Sequence, residues 1–204
     1  MRSYPTIAVI EFASMADGIF CTDALLKKAP IGMIKAGTVS GGRYLIIIGG
    51  STGSVEESLQ EAIAVSEGGV LDYVFLPDIH QSVHDTVLGK RGKVENDPIA
   101  ILETDTVSAN IRAAELALKG TDVRLVEIRI ADYEMSGKAI SIYNGNLYEV
   151  EAAMDLANAF LRGRKEYVKH RIIPNPHEIL TDQIGKGTRF AANTPRELEG
   201  EEVS

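Results

Sequence analysis

Cysteine and tryptophan are almost absent from this 204-residue chain, which has one cysteine, Cys21, and no tryptophan. A single cysteine excludes a disulfide framework within the chain and agrees with a reducing cytosol. Long apolar runs are also missing, since a stretch such as Leu45-Ile46-Ile47-Ile48 is far too short to cross a bilayer. Residues 1–6 lack the apolar segment of a signal peptide. We therefore expect a soluble, cytoplasmic protein.

Positive charge is in deficit. The chain has 21 Lys and Arg against 29 Asp and Glu, a net charge of −8. This balance argues against binding to nucleic acid, which requires a basic face, and against docking on an anionic membrane. Apolar residues make up 45% of the chain, which is enough for a substantial core.

An internal repeat dominates the sequence. The segment Ile7-Ala8-Val9-Ile10-Glu11 recurs 92 residues later as Ile99-Ala100-Ile101-Leu102-Glu103. Further matches keep the same order, with offsets of 92, 95 and 97 residues: Ile19, Leu26 and Lys27 with Ile111, Leu118 and Lys119; Gly50 and Val55 with Gly145 and Val150; Pro77 and His80 with Pro174 and His177. An ordered series of this kind indicates a duplicated module.

Each copy predicts the order strand, helix, strand, strand, helix, strand, with a short helix after the proline. The predicted strands are residues 7–11, 31–39, 44–48 and 70–76, then 99–103, 123–130, 139–143 and 168–173. This order favours an α/β (α+β) fold of two tandem ferredoxin-like domains, each an antiparallel four-stranded sheet with its long helices on one face. We place the first domain at residues 5–88, a linker at 89–97, the second domain at 98–184 and a flexible tail at 185–204.

Helical spacing predicts the buried faces of the long helices. In the first helix the predicted face is Met15, Ile19, Thr22 and Leu26, and its copy is Val107, Ile111, Ala114 and Leu118. In the second helix the face is Val55, Leu59, Ala62 and Ile63, and its copy is Val150, Met154, Ala157 and Leu161. Ser14 and Ser54 each begin a sequence typical of a helix N-terminus.

Two motifs allow more than one interpretation. Gly49-Gly50-Ser51-Thr52-Gly53-Ser54 follows a strand and precedes a helix, where backbone N–H groups bind anions, but no Walker lysine follows. A tight turn is the preferred interpretation. His80 and His84 have a spacing compatible with zinc, yet the second copy keeps only His177. We prefer a polar helix face and predict no metal site.

No catalytic constellation is evident. Cys21 has no partner cysteine or basic cluster near it in sequence and is interpreted as a structural thiol. Glu11 and Glu103 end equivalent strands, so we interpret them as interface or cap groups. We predict that the chain is not an enzyme.

Taken together, the motifs of each copy resemble the bacterial microcompartment (BMC) domain. The first copy carries Ala8-Val9-Ile10-Glu11, then Thr22-Asp23-Ala24-Leu25-Leu26-Lys27, the loop Val39-Ser40-Gly41-Gly42-Arg43 and Leu76-Pro77-Asp78-Ile79-His80. The second carries Glu115-Leu116-Ala117-Leu118-Lys119, the loop Glu134-Met135-Ser136-Gly137-Lys138 and Ile173-Pro174-Asn175-Pro176-His177. The order is that of unpermuted tandem members.

The resemblance implies a structural shell protein that forms a homotrimer mimicking a hexamer, with a central pore for small polar metabolites. It implies that the pore is lined by Ser40, Gly41, Gly42, Arg43, Met135, Ser136, Gly137 and Lys138. It also implies tile-edge roles for Lys27, Lys119, Pro77, His80, Pro174 and His177. The expected partners are hexameric and pentameric shell tiles, encapsulated enzymes and the metabolites that cross the pore.

Departures from the family pattern limit two of these expectations. Some tandem members hold an iron–sulfur cluster on a pore cysteine, but Ser40 occupies that position, so we predict no cofactor. Asp78 and Asn175 replace an edge arginine, which puts the geometry of tile contacts in doubt. Arg43 and Lys138 beside the pore could favour anions, although Asp132 and Glu134 could cancel that effect.

Two other functional classes remain open from the sequence. Duplicated ferredoxin-like modules also occur in small-ligand-binding regulatory proteins, for which the turn at residues 49–54 would be the pocket. An enzyme with its site between the modules is the third possibility, and the scarcity of convergent acid–base residues counts against it.

Overall fold

A computed structural model of the chain describes residues 4–132 and 135–195. The predicted order of elements occurs twice. The first copy comprises β1 (Thr6–Phe12), α1 (Met15–Lys28), β2 (Met33–Val39), β3 (Arg43–Gly50), α2 (Thr52–Val65), β4 (Val70–Pro77) and α3 (Gln81–Val87). The second comprises β5 (Ile99–Thr104), α4 (Val107–Gly120), β6 (Arg124–Ile130), β7 (Ala139–Asn144), α5 (Leu147–Leu161), β8 (Tyr167–Ile173) and α6 (Glu178–Lys186).

Each copy forms one antiparallel four-stranded sheet, which confirms the predicted fold class. The strand orders are β2-β3-β1-β4 and β6-β7-β5-β8, so the two sheets have the same topology. β1 and β5 are central, and their neighbours pair with them in equivalent registers, such as Ile7 opposite Gly49 and Ile99 opposite Asn144. Both sheets shift register at the end of the central strand, between Glu11 and Phe12 and between Glu103 and Thr104.

The first sheet is buried on both faces. Ala8, Ile10 and Phe12 pack with α1 and α2, whereas Ile7 and Val9 belong to a different cluster that includes α3 and the second copy. Successive residues of a strand point to opposite faces, so the long helices lie on one face and the short helix α3 on the other. The prediction of long helices on one face is confirmed, and the short helix adds a second layer.

The two copies are joined mainly through α4. This helix packs on its own sheet and also on β1, β4 and α3 of the first copy. Ten of its residues are buried, including the predicted face Val107, Ile111, Ala114 and Leu118. Because α4 fills the space between two sheets, both of its sides contribute to the core.

The equivalent face of α1 contradicts the prediction. Met15, Ile19 and Leu26 are 45%, 58% and 47% exposed, and the helix instead buries Gly18, Cys21 and Leu25 against its own sheet. The physical reason is that α1 packs on its own sheet and on α2, and no second sheet covers it among the described residues. The predicted faces of α2 and α5 are confirmed, except that Ile63 is only partly buried.

The linker runs alongside the β6 strand. The Gly92 N–H donates to the Val126 carbonyl oxygen (2.8 Å), and Asn144 accepts from the Glu95 N–H (2.8 Å). The tail does not leave the fold at residue 185, because α6 continues to Lys186 and a 3₁₀ turn forms at Phe190–Ala192. Thr188 donates to Glu127 (2.9 Å) and Arg189 to Asp132 (2.6 Å). Residues 196–204, which hold the acidic end of the predicted tail, lie outside the described residues.

None of the helices in the described residues has the length and apolar character needed to cross a membrane.

Candidate functional site

The two predicted pore loops lie in contact with each other. The Gly137 N–H donates to Ser40 Oγ (2.9 Å), and the Ser40 hydroxyl donates to the Ala131 carbonyl oxygen (3.2 Å). The Ser40 N–H donates to the same carbonyl at 3.2 Å. Two loops that are 97 residues apart in sequence therefore form one continuous surface of small residues.

Close packing explains the small residues. A Cβ on Gly41 would lie 3.1 Å from the Ser136 carbonyl, and one on Gly137 would lie 2.7 Å from the Arg43 guanidinium. Both glycines have positive φ, +77° and +86°, which disfavours other residues. Ser136 also has positive φ, +50°. The second loop is longer, because residues 131–138 separate β6 from β7 whereas residues 40–42 separate β2 from β3. Glu134, in this second loop, lies outside the described residues.

The cations beside these loops already have anionic or carbonyl partners. Arg43 Nη1 donates to the carbonyl oxygens of Asp105 (2.6 Å) and Gly137 (3.1 Å), and its guanidinium lies 3.5 Å from the Asp105 carboxylate. Lys138 pairs with Glu103 at 2.8 Å, and this hydrogen bond raises the pKa of Lys138. These pairs reduce the positive field that the anion hypothesis requires.

The two predicted tile-edge lysines have different surroundings. Lys119 Nζ donates to the Asp78 carbonyl oxygen (2.7 Å) and pairs with Glu115 (2.8 Å). These contacts lie at the joint between the copies, which is where α4 packs on β1, β4 and α3. Lys27 is exposed and pairs with Asp23, four residues before it on α1 (2.6 Å). The same sequence position therefore makes a contact between copies in one case and faces solvent in the other.

The histidines of the Pro-x-x-His segments cap helices. Pro77 ends β4, and His80 precedes α3, where its Nδ1 accepts from the Ser82 N–H (3.2 Å). Pro174 directly follows β8, and His177 Nδ1 accepts from the Ile179 N–H (3.2 Å) at the start of α6. Sequence reasoning missed this capping role, which the repeated position of each histidine immediately before a short helix could have indicated.

The histidine pair does not assemble a metal site. His84 is buried and accepts from the Tyr4 N–H at Nε2 (3.3 Å), with Asp85 3.1 Å from its other ring nitrogen. No group of three or more His, Cys, Asp and Glu side chains with metal-binding geometry occurs in residues 4–132 and 135–195. Cys21 is buried in α1, and burial, with Asp17 nearby, raises the pKa of its thiol.

The glycine-rich turn is a helix start. Gly49 and Gly50 belong to β3, and Ser51 accepts from the Ser54 N–H (3.3 Å) as the N-cap of α2. The predicted cap at Ser54 is wrong, because the helix begins at Thr52. Ser14 does cap α1, as predicted, by accepting from the Asp17 N–H (3.2 Å).

Glu11 is the least expected polar residue at the joint. Its side chain is 2% exposed and accepts from the Ser108 N–H (2.7 Å) at the start of α4, where a carboxylate interacts favourably with the helix dipole. Burial nevertheless raises its pKa from 4.5 to about 7, with a smaller contribution from Asp72. The prediction of an interface or cap group is confirmed for Glu11, whereas Glu103 pairs with Lys138 within its own copy.

The comparisons with known proteins agree with this architecture. The family model described as BMC domain matches the chain twice, at residues 6–79 and 99–176. A curated relative, the bacterial microcompartment shell protein PduT of Citrobacter freundii, is 29% identical over 181 residues, which cover 89% of this chain and 98% of the relative.

Solved structures with the same fold include two microcompartment proteins. A microcompartment protein from Desulfitobacterium hafniense DCB superposes with a TM-score of 0.76 and 29% identity, covering 88% of this chain and 99% of that one. The fused permuted hexameric shell protein of the RMM microcompartment gives a TM-score of 0.56 at 22% identity, covering 79% and 86%. The second similarity concerns the fold alone.

Proposed function

The chain belongs to the BMC domain family, and on this premise we propose that it is a structural, non-catalytic protein of a bacterial microcompartment shell. In this role three copies form a pseudohexameric tile in the cytoplasm. A central pore passes small polar metabolites. Other shell proteins adjoin the tile, and the enclosed enzymes lie behind it.

The unequal burial of α1 and α4 is the main observation that supports the trimer. Ile111 is 0% exposed on α4, whereas its equivalent Ile19 is 58% exposed on α1. The α4 face is buried by the α3 and β4 side of the first copy, and the second copy offers the equivalent α6 and β8 side to solvent. Repeating the joint between copies of the chain would therefore cover the open α1 face. A head-to-tail contact of this kind makes a closed ring when the rotation is complete.

The polar residues that make contacts at the joint have equivalents in the other copy that do not contact a second sheet within the described residues. Glu11 accepts from the Ser108 N–H at the start of α4. Its equivalent Glu103, which pairs with Lys138 in the single chain, would leave that lysine and accept from the start of α1 in a neighbouring copy. Lys119 reaches the Asp78 carbonyl, so Lys27 would reach the Asn175 carbonyl of the next copy. This arrangement accounts for the predicted edge residues Lys27, His177 and Pro174 as neighbours of an intermolecular contact.

The pore follows from the same geometry. The loops at Ser40–Gly42 and residues 135–137 adjoin at one end of the joint, and ring closure would bring three such pairs around the axis. The small residues Ser40, Ser136 and Gly137 leave space at the centre, and the exposed backbone of Gly41 and Gly42 offers polar groups to a passing metabolite.

The Ile19→Glu variant tests the trimer. In an isolated chain Ile19 is exposed, so the substitution leaves the fold intact; in the trimer it places a charge in an apolar contact, which is strongly unfavourable. We expect native mass measurements to give trimers for the wild type and monomers for the variant.

Tyr148→Glu is the matched control. Tyr148 is 76% exposed on the second copy, and its counterpart Gly53 is exposed on the first, so neither side of the joint covers this position. The control variant should remain trimeric. A wild-type protein that stays monomeric at high concentration, or an Ile19→Glu variant that stays trimeric, would contradict the proposal.

A further inference from the structure

A basic cavity lies where the two copies, the linker and the C-terminal segment meet. Its volume is about 210 Å³, and its walls come from β2, the end of α3, the linker, β6 and residues 186–192. Six basic residues line it: Lys35, Lys90, Arg91, Arg129, Lys186 and Arg189. Glu127 and Asp132 are the acidic residues of the lining. This excess of positive charge contrasts with the net charge of −8 for the whole chain.

The arginines are held in place by the two carboxylates. Arg91 pairs with Glu127, which is 8% exposed. Asp132 pairs with both Arg129, at 2.8 Å, and Arg189, at 2.6 Å. Arg129 also donates to the Thr188 carbonyl oxygen at 3.1 Å. A guanidinium has five N–H donors in a fixed fork, so these pairs fix the orientation of the three groups at the cavity wall.

The lysines supply the uncompensated charge. Lys90 pairs with Asp85 at 2.9 Å. Within the part of the chain that the structure describes, Lys35 and Lys186 form no ion pair with a carboxylate. Lys186 also lies in the last turn of α6, where a cation is favoured by the helix dipole. Two ammonium groups without an anionic partner among the described residues, beside three oriented guanidinium groups, form a site that a polyvalent anion would neutralise.

The cavity takes its walls from both copies of the repeat and from the C-terminal segment. Lys35 and its neighbours come from the first copy, whereas Arg129 and Asp132 come from the second, and residues 186–192 complete the wall. The cavity therefore depends on the tandem arrangement and also on the C-terminal segment folding back, which the proposed pore does not use.

We propose that this cavity binds a small anion carrying two or more negative charges, of the phosphorylated or polycarboxylate class. Its volume is below the roughly 300–1,000 Å³ of pockets for drug-sized ligands, which limits the ligand to a compact molecule. Binding would connect the linker, β6 and the C-terminal segment through one ligand.

Isothermal titration calorimetry of the full chain with inorganic pyrophosphate and with citrate tests the site, and acetate serves as a monovalent comparison. We expect saturable binding of pyrophosphate, citrate or both at physiological ionic strength, and much weaker binding of acetate. A preference for pyrophosphate would assign the phosphorylated class, and a preference for citrate the polycarboxylate class.

The double variant Lys35→Gln with Lys186→Gln removes the positive charges of these two cavity lysines. Both residues are exposed, so the variant should unfold at the wild-type temperature, and we expect its Kd for the anion to rise at least about tenfold. Lys93→Gln, at an exposed linker lysine outside the cavity, should bind like the wild type. Absence of binding of both polyvalent anions at millimolar concentration, or equal Kd values for the double variant and the wild type, would overturn the assignment.

Discussion

Glu11 and Glu103 occupy one position of the repeat but differ in their surroundings. Glu11 is enclosed at the joint and accepts from the Ser108 N–H, whereas Glu103 is about one-third exposed and pairs with Lys138. Burial disfavours the ionised form of Glu11 and raises its pKa to about 7, against the lowering effect of its hydrogen bonds. A buried carboxyl of this kind links the stability of the joint to pH.

The sign of that dependence follows from the two pKa values of Glu11. The folded value of about 7 lies above the ordinary 4.5, so the folded state binds more protons between these pH values. The contribution of Glu11 is fully present below pH 4.5 and is lost as the pH rises through 7. The total change corresponds to about 3 kcal/mol.

Glu11→Gln should remove this dependence, because the amide keeps the shape and an acceptor oxygen but does not ionise. Urea unfolding at pH 5 and pH 8 measures it. We expect the free energy of unfolding of the wild type to fall between pH 5 and pH 8 and that of the variant not to show this fall. The difference in stability between variant and wild type should therefore shift by about 1–3 kcal/mol in favour of the variant at pH 8. The comparison variant Glu95→Gln breaks the exposed ion pair with Arg124 (3.3 Å) in the linker and should change stability by less than about 1 kcal/mol at both pH values. An identical pH profile for Glu11→Gln and the wild type would rule out the linkage.

At the scale of elements, similar sequence patterns yield different packing. The predicted faces of α1 and α4 have the same spacing, but ten residues of α4 and three of α1 are buried. The linker shows a second asymmetry, since Gly92 lies directly against β6 and a Cβ there would be 2.1 Å from the Leu125 carbonyl oxygen. Space, and not backbone conformation, requires glycine at this position.

Gly92→Ala should therefore force the linker away from β6 and weaken the Gly92–Val126 hydrogen bond. We expect a loss of about 1–3 kcal/mol in the free energy of unfolding, measured by urea titration. Gly53→Ala is the matched substitution, because Gly53 lies in α2, where an added Cβ would meet no atom within 4 Å, and alanine is the better helix former. That variant should gain about 0.5 kcal/mol. Equal effects of the two substitutions would refute the close approach of the linker.

At the scale of the whole molecule, the assembly can be tested through the pore loops. Ser136 is exposed beside the Ser40 loop, and the native Cys21 is buried, so an introduced thiol would react alone. In a trimer closed around these loops, Ser136→Cys should be joined by a bis-maleimide into covalent dimers and trimers, read as bands on a denaturing gel.

Glu57→Cys is the control for this experiment. Glu57 is exposed on α2, which begins after the opposite end of β3 from the Ser40 loop, so its copies would lie far from the axis. Cross-linking of Ser136→Cys but not of Glu57→Cys is the expected result. If Glu57→Cys cross-linked and Ser136→Cys did not, the loops would not face a common axis.

Local pattern was sufficient for most of the fold. Alternating β-branched residues and the ordered repeat predicted all eight strands, the α2 and α5 faces and the topology of each sheet. The start of α2 was missed because Ser51 and Ser54 are both capable caps, and only the geometry of the turn selects Ser51. The roles of His80 and His177 as caps were missed for a related reason, since a histidine seldom signals a helix start.

The sequence by itself determined the duplicated module, its strand order and the small residues of the two loops, because these depend on local propensity and on periodicity within one copy. Only the tertiary structure decided which of two similar helices is covered, which of two equivalent glutamates is buried, and which basic residues share a cavity. Those outcomes depend on how one copy packs against the other, and a repeated sequence encodes the same local preferences at both positions whatever lies opposite them.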